Sequence, residues 1–557
     1  MVQRKKMVKI TEELFNIIRA AVKKISGSDL NFKLDIPKNK NFGDYSTNAA
    51  HIIAKQIKNT PKEAAEIIIN NFEYDKNLID KIEIAGNGFI NFFISDSFYY
   101  DIINEIIELK ENFGKTNSHG GETANIEWVS ANPTGLLHAG HGRQVALGKV
   151  IANLLEWEGY DITREYYYND AGNQMLNLAK SIQARYIQKT SNPDFPFPED
   201  GYHGETVIDI VNLIIEKHGT NIDTNDIEFF KDFGENYNFT EIKNTLKKFN
   251  ISHDIFFNET DLYKSGEIDN VLNKLSEKNL LEEKDGAKWM VMDKSKGFDK
   301  NKVLVKSTGE YTYRLPDIAY HINKIKRGYD LMLDIFGSDH KDTYREVLYG
   351  VESLGYNTEK IKVIIHQMVT FKSGDERIKM SKRSDNVYYL NDLIDDVGID
   401  AAQFYFVMRA ANTHLDFDVQ LAKEQSDKNP VFYLQYAYAR ICGIIRNYEE
   451  ISGSFNYGNI TGNFQKFLIT EEEITLIKTL YKFPEEVKSA AENFEPHKII
   501  NYLNEVAENF HRFYHNHRVI NQENKVLSES RLALCLAVKQ ILKNGFDIIG
   551  ISAPERM

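Results

Sequence analysis

The sequence predicts a multidomain α/β protein, in which a Rossmann-like, doubly wound parallel-sheet domain is preceded by a small α/β module and followed by an all-α helical bundle. Three observations predict it. A chain of 557 residues is too long for one core, since domains run to roughly 100–200 residues. From residue 125 a strand, a glycine-containing loop and an amphipathic helix follow in succession, the opening of a nucleotide-binding sheet. From about residue 396 the apolar residues recur at helical spacing almost to the end.

Residues 1–118 read as the first module, with helices over 11–25 and 61–72, an apolar strand over 89–94 and a helix over 97–110. The polar stretch 112–122, rich in Gly, Ser, Asn and Lys, reads as the linker that ends it. The second domain, 119–395, opens with a strand over 125–130 and a loop over 131–137. A helix then places Leu147, Val150, Ile151 and Leu154 on one face before Gly159, and a second strand starts near Tyr160. The charged, helix-like region of about 180–295 reads as an insertion. After it the sheet is expected to resume at 302–307, with later strands at 331–336 and 362–365. In the third domain, 396–557, helices are expected over 431–448, 471–493, 497–514 and 529–543.

With 42% hydrophobic and 27% charged residues the chain should fold throughout. No apolar run reaches the roughly 20 residues of a membrane span and the start lacks a signal-peptide core, so the expected address is the cytoplasm, without a membrane partner. Two cysteines, Cys442 and Cys535, suffice for neither a disulfide framework nor a thiolate zinc cluster. Both are expected in the core, and no protein-bound metal is expected. A formal charge of −13 weighs against a nucleic-acid partner without excluding it, because RNA is bound by local basic and aromatic surfaces.

Two constellations carry chemistry. Residues Asn132 to His141 read N-P-T-G-L-L-H-A-G-H, where the first strand of the sheet gives way to a helix. A helix start offers free N–H groups and a positive dipole end to phosphate, and His138 and His141 add donors as charge develops on an α-phosphate. Gly140 lets a base or phosphate approach the backbone, and Pro133, Thr134 and Gly135 line the same loop. The second is Lys379-Met380-Ser381-Lys382-Arg383, which follows a turn at Ser373-Gly374-Asp375 and begins 379 − 138 = 241 residues after His138. Two ammonium groups on such a loop can stabilise departing pyrophosphate. Alone, the first would read as a helix cap and the second as a solvated basic loop.

Together and in this order they resemble the HIGH-like and KMSKS-like signatures of class I aminoacyl-tRNA synthetases, with Arg383 where a serine is usual. The resemblance implies adenylation of an amino acid by ATP with Mg2+, then transfer to the terminal ribose of tRNA. His138, His141, Lys379 and Lys382 would be the catalytic groups, with Met380 and Ser381 also against ATP. Further segments are similar to the arginyl branch of that class: Glu127 to Asn132, Tyr166 to Gln174, Thr312 to His321, Asn429 to Arg440, and the ending Gly550 to Met557. L-arginine, ATP and tRNA(Arg) are the implied partners of a chain expected to be monomeric.

A guanidinium is a planar fork of five donors that is best met by carboxylates. Asp317 and Glu127 supply carboxylates and Tyr313 a hydroxyl and a ring face, while Ser130 and Asn132 lie on the strand similar to the branch's substrate pocket. Met alone, Asp317 would read as a helix cap and Glu127 as a strand residue facing solvent. Asp339 and His340, after another strand, and Met368 and Val369, in the segment His366 to Val369, are expected at the edges of the ATP site.

For tRNA the resemblance sets the N-terminal module, including Phe42, Tyr45 and Asn87, against the elbow and the helical domain against the anticodon. There Tyr433, Gln435, Tyr436, Tyr438 and Arg440 are candidates for base stacking and phosphate contact. Aromatic residues at helical spacing are more often core, so about half of that cluster should be buried. His511, His515 and His517 read as surface or RNA-facing rather than as metal ligands. The competing readings are a small adenylyltransferase, which lacks so long a helical half, a cysteinyl-type synthetase, which needs zinc ligands, and a catalytically inactive synthetase paralogue that binds RNA.

Overall fold

The computed structural model describes residues 10–557 apart from 38, 171, 375, 378–386 and 456–463. The chain divides into two compact units. One comprises Met1–Lys110, Ile444–Tyr481 and Arg512–Val538; the other comprises Glu111–Gly443, Lys482–His511 and Lys539–Met557.

In the first unit β1 (Leu34–Asp35), β2 (Tyr45–Thr47), β3 (Ile79–Ala85) and β4 (Phe89–Ile94) form an antiparallel sheet in the order β1-β2-β4-β3. The β3–β4 hairpin turns at Gly88 with φ 105°, where a Cβ would stand 2.6 Å from the carbonyl oxygen of Pro61. That carbonyl belongs to the first residue of the helix Pro61–Ile69. A reciprocal capping box starts the helix, Glu63 N–H donating to Thr60 Oγ1 at 3.3 Å and Thr60 N–H to Glu63 Oε2 at 2.9 Å.

The second unit is organised by a parallel sheet. Its strands are β5 (Thr123–Glu127), β6 (Asp161–Tyr168) and β7 (Ile255–Asn258), joined after three intervening strands by β11 (Leu331–Gly337) and β12 (Ile361–His366). The order is β12-β11-β5-β6-β7, so the second strand of the chain to enter lies beside the first and later strands add on both sides. The intervening β8 (Leu281–Lys284), β9 (Ala287–Met290) and β10 (Lys302–Val305) make a separate antiparallel sheet. Beyond β12, β13 (Val369–Ser373), β14 (Glu376–Arg377) and β15 (Leu415–Asp418) form a third sheet in this unit, in the order β14-β13-β15.

Four expectations are corrected here. The 302–307 segment does not resume the parallel sheet; it pairs antiparallel with β9, because a short hairpin next to it satisfies its backbone locally. The charged region read as an insertion, about 180–295, also supplies β7, the edge strand beside β6. The first strand also ends at Glu127 and not at residue 130, because Val129 and Ser130 take left-handed backbone, φ 73° and 39°. Residues 112–122 are more than a linker, since Phe113 is buried and stacks on Phe483 with ring centroids 6.1 Å apart.

The helix Gly142–Trp157, which follows β5, is buried along nearly its whole length. Gly148 lets it lie against the Trp128 indole, where a Cβ would come within 2.2 Å of the ring. Toward the end of the chain the helices are Pro430–Ser452, Glu471–Tyr481, Phe483–Glu492, His497–Asn516 and Lys525–Ile549. The single helix expected over 471–493 is two, because Pro484 has no N–H for the ladder and starts a new helix at its second position. Cys442 and Cys535 are free and buried.

Gly148→Ala is expected to force the Trp128 ring or the helix aside. A lowering of stability by about 1–3 kcal/mol, the usual cost of overpacking, should be read as a lower urea midpoint of the purified variant.

Candidate functional site

Parallel strands put all their carboxyl ends on one edge, and loops leaving neighbouring strands meet there. Glu127, Tyr168, Asn258, Gly337 and His366 end the five strands. The chain leaving β5 turns sharply through Val129 and Ser130. Non-glycine residues in this conformation cost about 1–3 kcal/mol each and persist only where surroundings fix them. Here Trp128 is buried, Ser130 Oγ donates to Glu127 Oε1 at 3.1 Å and accepts the Tyr167 N–H at 3.0 Å, and Tyr166 Oη donates to the Ala131 carbonyl at 2.6 Å. The turn carries Ser130 and Asn132 over the sheet edge, and Asn132 donates to Gln174 Oε1 at 2.7 Å. Pro133 is buried and its carbonyl accepts from Asn238 at 2.9 Å. Thr134 and Gly135 are half-buried, and a Cβ on Gly135 would meet open space.

Ala139–His141 form one turn that runs into the helix Gly142–Trp157. The rings of His138 and His141 stack at 3.6 Å. The His138 N–H donates to His141 Nδ1 at 3.2 Å, which places the proton of a neutral His141 on Nε2. A Cβ on Gly140 would stand 2.9 Å from His138 Nδ1, so this glycine makes room for the histidine ring. Alongside runs the chain that follows residue 386: Ala139 N–H donates to the Tyr388 carbonyl and Leu390 N–H to the Leu137 carbonyl, both at 2.8 Å. Lys379, Met380, Ser381, Lys382 and Arg383 lie outside the described residues.

Arg143, directly after this turn, is fully buried. Its guanidinium donates at 2.8 Å to the carbonyls of Gln367, Ala410 and Thr413, and burial lowers its pKa to about 10. It thereby ties the histidine turn to the step from β12 to β13, where Gln367 N–H also donates to the Ala411 carbonyl at 2.9 Å. Met368 at that step is 68% exposed, and Val369 begins β13. Asp339 and His340, both exposed, follow β11. The three expected nucleotide-facing segments thus leave the adjacent strands β5, β11 and β12.

A second feature lies across the sheet. Asp334, Glu127 and Glu165 stand side by side in register on β11, β5 and β6, and all three are buried. The helix Arg314–Arg327 brings cations to them. Lys324, itself buried, bonds Glu127 Oε2 at 3.1 Å and Asp334 Oδ1; Arg327 grips both oxygens of Glu165 at 2.7 and 2.9 Å; His321 Nε2 lies 3.1 Å from Asp334. Tyr320 Oη and Asn125 Nδ2 also donate to Glu165, at 2.9 and 2.5 Å. Burial raises Glu127; it would raise Asp334 too, but Lys324 and His321 hold that carboxyl well below the usual range.

Asp317 sits in the first turn of the same helix. Among the described residues no donor is hydrogen-bonded to its carboxylate. Burial pushes it up to about 7; Glu259, Glu127 and Asp334 add repulsion and His321 opposes them. Tyr313, which precedes the helix, is 55% exposed, with the Arg314 guanidinium 4.8 Å from its ring. Sequence reasoning passed over Arg143, Lys324, Asp334, Glu165 and Arg327. A signal existed: residues 317, 321 and 324 share one helix face, and Asp334 interrupts the apolar run of β11.

Of the residues expected toward RNA, Tyr433, Tyr436 and Arg440 are half-buried and cluster with His511. Arg440 lies 4.5 Å over the Tyr436 ring and 3.3 Å from His511 Nδ1, and burial followed by Arg440 lowers His511 to about 4. Tyr438 is buried, as is Gln435, whose amide is taken by Asp400 and Ser552 at 2.8 and 3.1 Å. His515 is exposed, whereas His517 pairs with Glu472 at 3.1 Å. In the first unit Phe42 and Asn87 are exposed and Tyr45 is buried in β2.

Comparison with known proteins gives three consecutive family matches. Residues 12–94 match the arginyl tRNA synthetase N terminal domain, 102–416 the catalytic domain of tRNA synthetases class I (R), and 434–557 the DALR anticodon binding domain. The chain is 44% identical over 536 residues to arginine–tRNA ligase of Chlorobaculum tepidum, covering 95% of this chain and 97% of that one. It is 43% identical over 535 residues to that of Bacillus cereus, covering 95% and 94%. Among solved structures, a putative arginyl tRNA synthetase from Campylobacter jejuni aligns with TM-score 0.76 at 29% identity, over 83% of this chain and 100% of that one. Thermus thermophilus arginyl-tRNA synthetase aligns with TM-score 0.75 at 20% identity, over 98% and 100%.

With the Asp317 carboxyl pushed up to about 7, any guanidinium placed beside it would first have to displace a proton at lower pH. Affinity for methylguanidine is therefore expected to fall by about tenfold per pH unit below about 7 and to level off above. Calorimetric titration across pH checks this, with Asp317→Asn expected to give a flat, weak profile.

Proposed function

Since the chain belongs to the arginyl-tRNA synthetase family and is an arginine–tRNA ligase of class I, we propose how its sheet edge divides the work. ATP, carrying Mg2+ on its phosphates, lies across Pro133–His141, Asp339, His340, Met368 and Val369. L-arginine sits by Ser130, Asn132, Tyr313 and Asp317, with Glu127 behind them, where it holds Ser130 and is neutralised by Lys324. The α-carboxylate of arginine attacks the α-phosphate, pyrophosphate leaves, and the terminal ribose hydroxyl of tRNA(Arg) then takes the arginyl group and releases AMP. His138 and His141 donate to the phosphate as its charge grows; Lys379 and Lys382 neutralise the departing pyrophosphate.

The observation that carries the substrate reading is Asp317, a half-buried carboxylate with no hydrogen-bonded donor among the described residues, whose carboxyl is raised to about 7. Such a site selects a cation, and a planar fork meets a carboxylate in two bonds where an ammonium meets it as a point charge. Among the described residues no three His, Cys, Asp or Glu side chains are grouped to hold a metal, and no described helix is long and apolar enough to cross a membrane.

By the same reading residues 1–118 meet the tRNA elbow, 119–395 hold the chemistry, and 396–557 meet the anticodon through Tyr433, Tyr436 and Arg440. The chain acts as a monomer in the cytoplasm. Nothing favours the reading of an inactive RNA-binding paralogue.

Asp317→Asn replaces an acceptor by an amide that turns N–H toward the cation. Losing a hydrogen bond to a charged group costs about 1.5–3 kcal/mol, so the arginine KM should rise by at least roughly tenfold while the ATP KM stays near that of the parent. A change confined to the ATP constant would place Asp317 in the nucleotide site and sink the assignment. His141→Ala should lower the turnover of adenylation by roughly 10- to 1,000-fold with little change in arginine KM, as a donor used mainly in the transition state does. Unchanged turnover would make His141 a cap.

A further inference from the structure

The imidazole of His321 lies between two acceptors. Its Nδ1 is 2.8 Å from the carbonyl oxygen of Asp317 and its Nε2 is 3.1 Å from Asp334 Oδ2. A neutral imidazole carries one N–H, so one of these contacts would set lone pair against lone pair; an imidazolium donates to both. The ring is 6% exposed, so no bulk water can relieve such a clash.

The groups facing it are Asp334 from β11, Lys324 and Asp317 from its own helix, Glu127 from β5, and the Tyr320 ring edge-on at 5.6 Å. Burial disfavours the charged ring and Lys324 repels it, but the Asp334 carboxylate and the Asp317 carbonyl outweigh both and hold its pKa above the usual value. Counted across the row, the cations Lys324, Arg327 and His321 face the carboxylates Glu127, Asp334 and Glu165. Asp317 is left over. Of the charges acting on it, those of Glu259, Glu127 and Asp334 favour its protonated form, and that of His321 favours the carboxylate.

Building on the reading that Asp317 receives the guanidinium, we propose that His321 is a positioning residue held as an imidazolium. It anchors the Asp317 main chain through Nδ1 and biases the Asp317 side chain toward the carboxylate that arginine needs. The helix face 317, 321, 324 then works as one device: Lys324 balances the sheet, His321 adds the charge that reaches the pocket, and Asp317 spends it on the substrate.

His321→Gln retains a donor and removes the charge. An opposite charge nearby shifts a carboxylate by about one to three pKa units. The variant's arginine KM at neutral pH should therefore rise at least about fivefold and fall back toward that of the parent as the pH is raised toward about 10, with the ATP KM unmoved throughout. A KM that stays raised at high pH, or an ATP constant that moves with it, marks a packing defect and overturns the proposal.

The charge itself is read in the parent enzyme by nitrogen NMR of labelled histidine, the His321 signals being those absent from a folded His321→Gln or His321→Asn variant. Two protonated ring nitrogens above neutral pH are expected; a neutral tautomer overturns the proposal. If Asp317→Asn leaves arginine KM untouched while His321 is an imidazolium, it is the pocket reading that has failed and not the ionisation of the histidine.

Discussion

Three carboxylates side by side on adjacent strands, Asp334, Glu127 and Glu165, are an unstable arrangement by themselves, because like charges in register repel and none reaches water. The sheet therefore needs the helix Arg314–Arg327 in one position, with Lys324, Arg327 and His321 above that row. Removing one member of such a set leaves an uncompensated buried charge worth about 3–5 kcal/mol. Apolar packing alone tolerates sliding by fractions of an ångström; a buried ion cluster does not. The first turn of the helix, with Asp317, and the kinked exit of β5, where Ser130 shares Glu127, inherit their places from this cluster.

Arg143 provides a second polar anchor of a different kind. Its fork is met by three main-chain carbonyls, so its charge is distributed over peptide dipoles and the side chain fastens backbone to backbone. The histidine turn, the step after β12 and the turn at 410–413 become one piece. Tyr388 to Leu390 pair with Leu137 to Ala139, so the chain returning from the lysine motif is registered on the histidine turn as well.

The acidic net charge of −13 averages over the whole chain, and the buried ion cluster contributes almost nothing to it. Glu127, Glu165 and Asp334 enter that count as negatives and their partners Lys324 and Arg327 as positives, so the charge that remains is carried by other residues. A phosphate approaching a protein surface meets the local field and not the net charge of the chain.

What the sequence by itself determined is what local pattern encodes. The histidine and lysine motifs in order, the strand–loop–helix opening, the apolar β11 and β12, and the helical second half were legible because each is written in consecutive residues or in a short period. Tertiary structure decided the rest. A four-residue strand such as β7 has too little pattern to announce its sheet, and β10 reads like a sheet strand whichever sheet it joins. Gln435 and Tyr433 look alike on a helix until Asp400 and Ser552 arrive from elsewhere to bury one of them. Likewise Glu127, Glu165 and Asp334 lie in separate strands, and only parallel register makes them neighbours. Charge on an isolated residue is a property of the sequence, whereas its compensation depends on distances of a few ångströms between segments far apart in the chain, which folding alone sets.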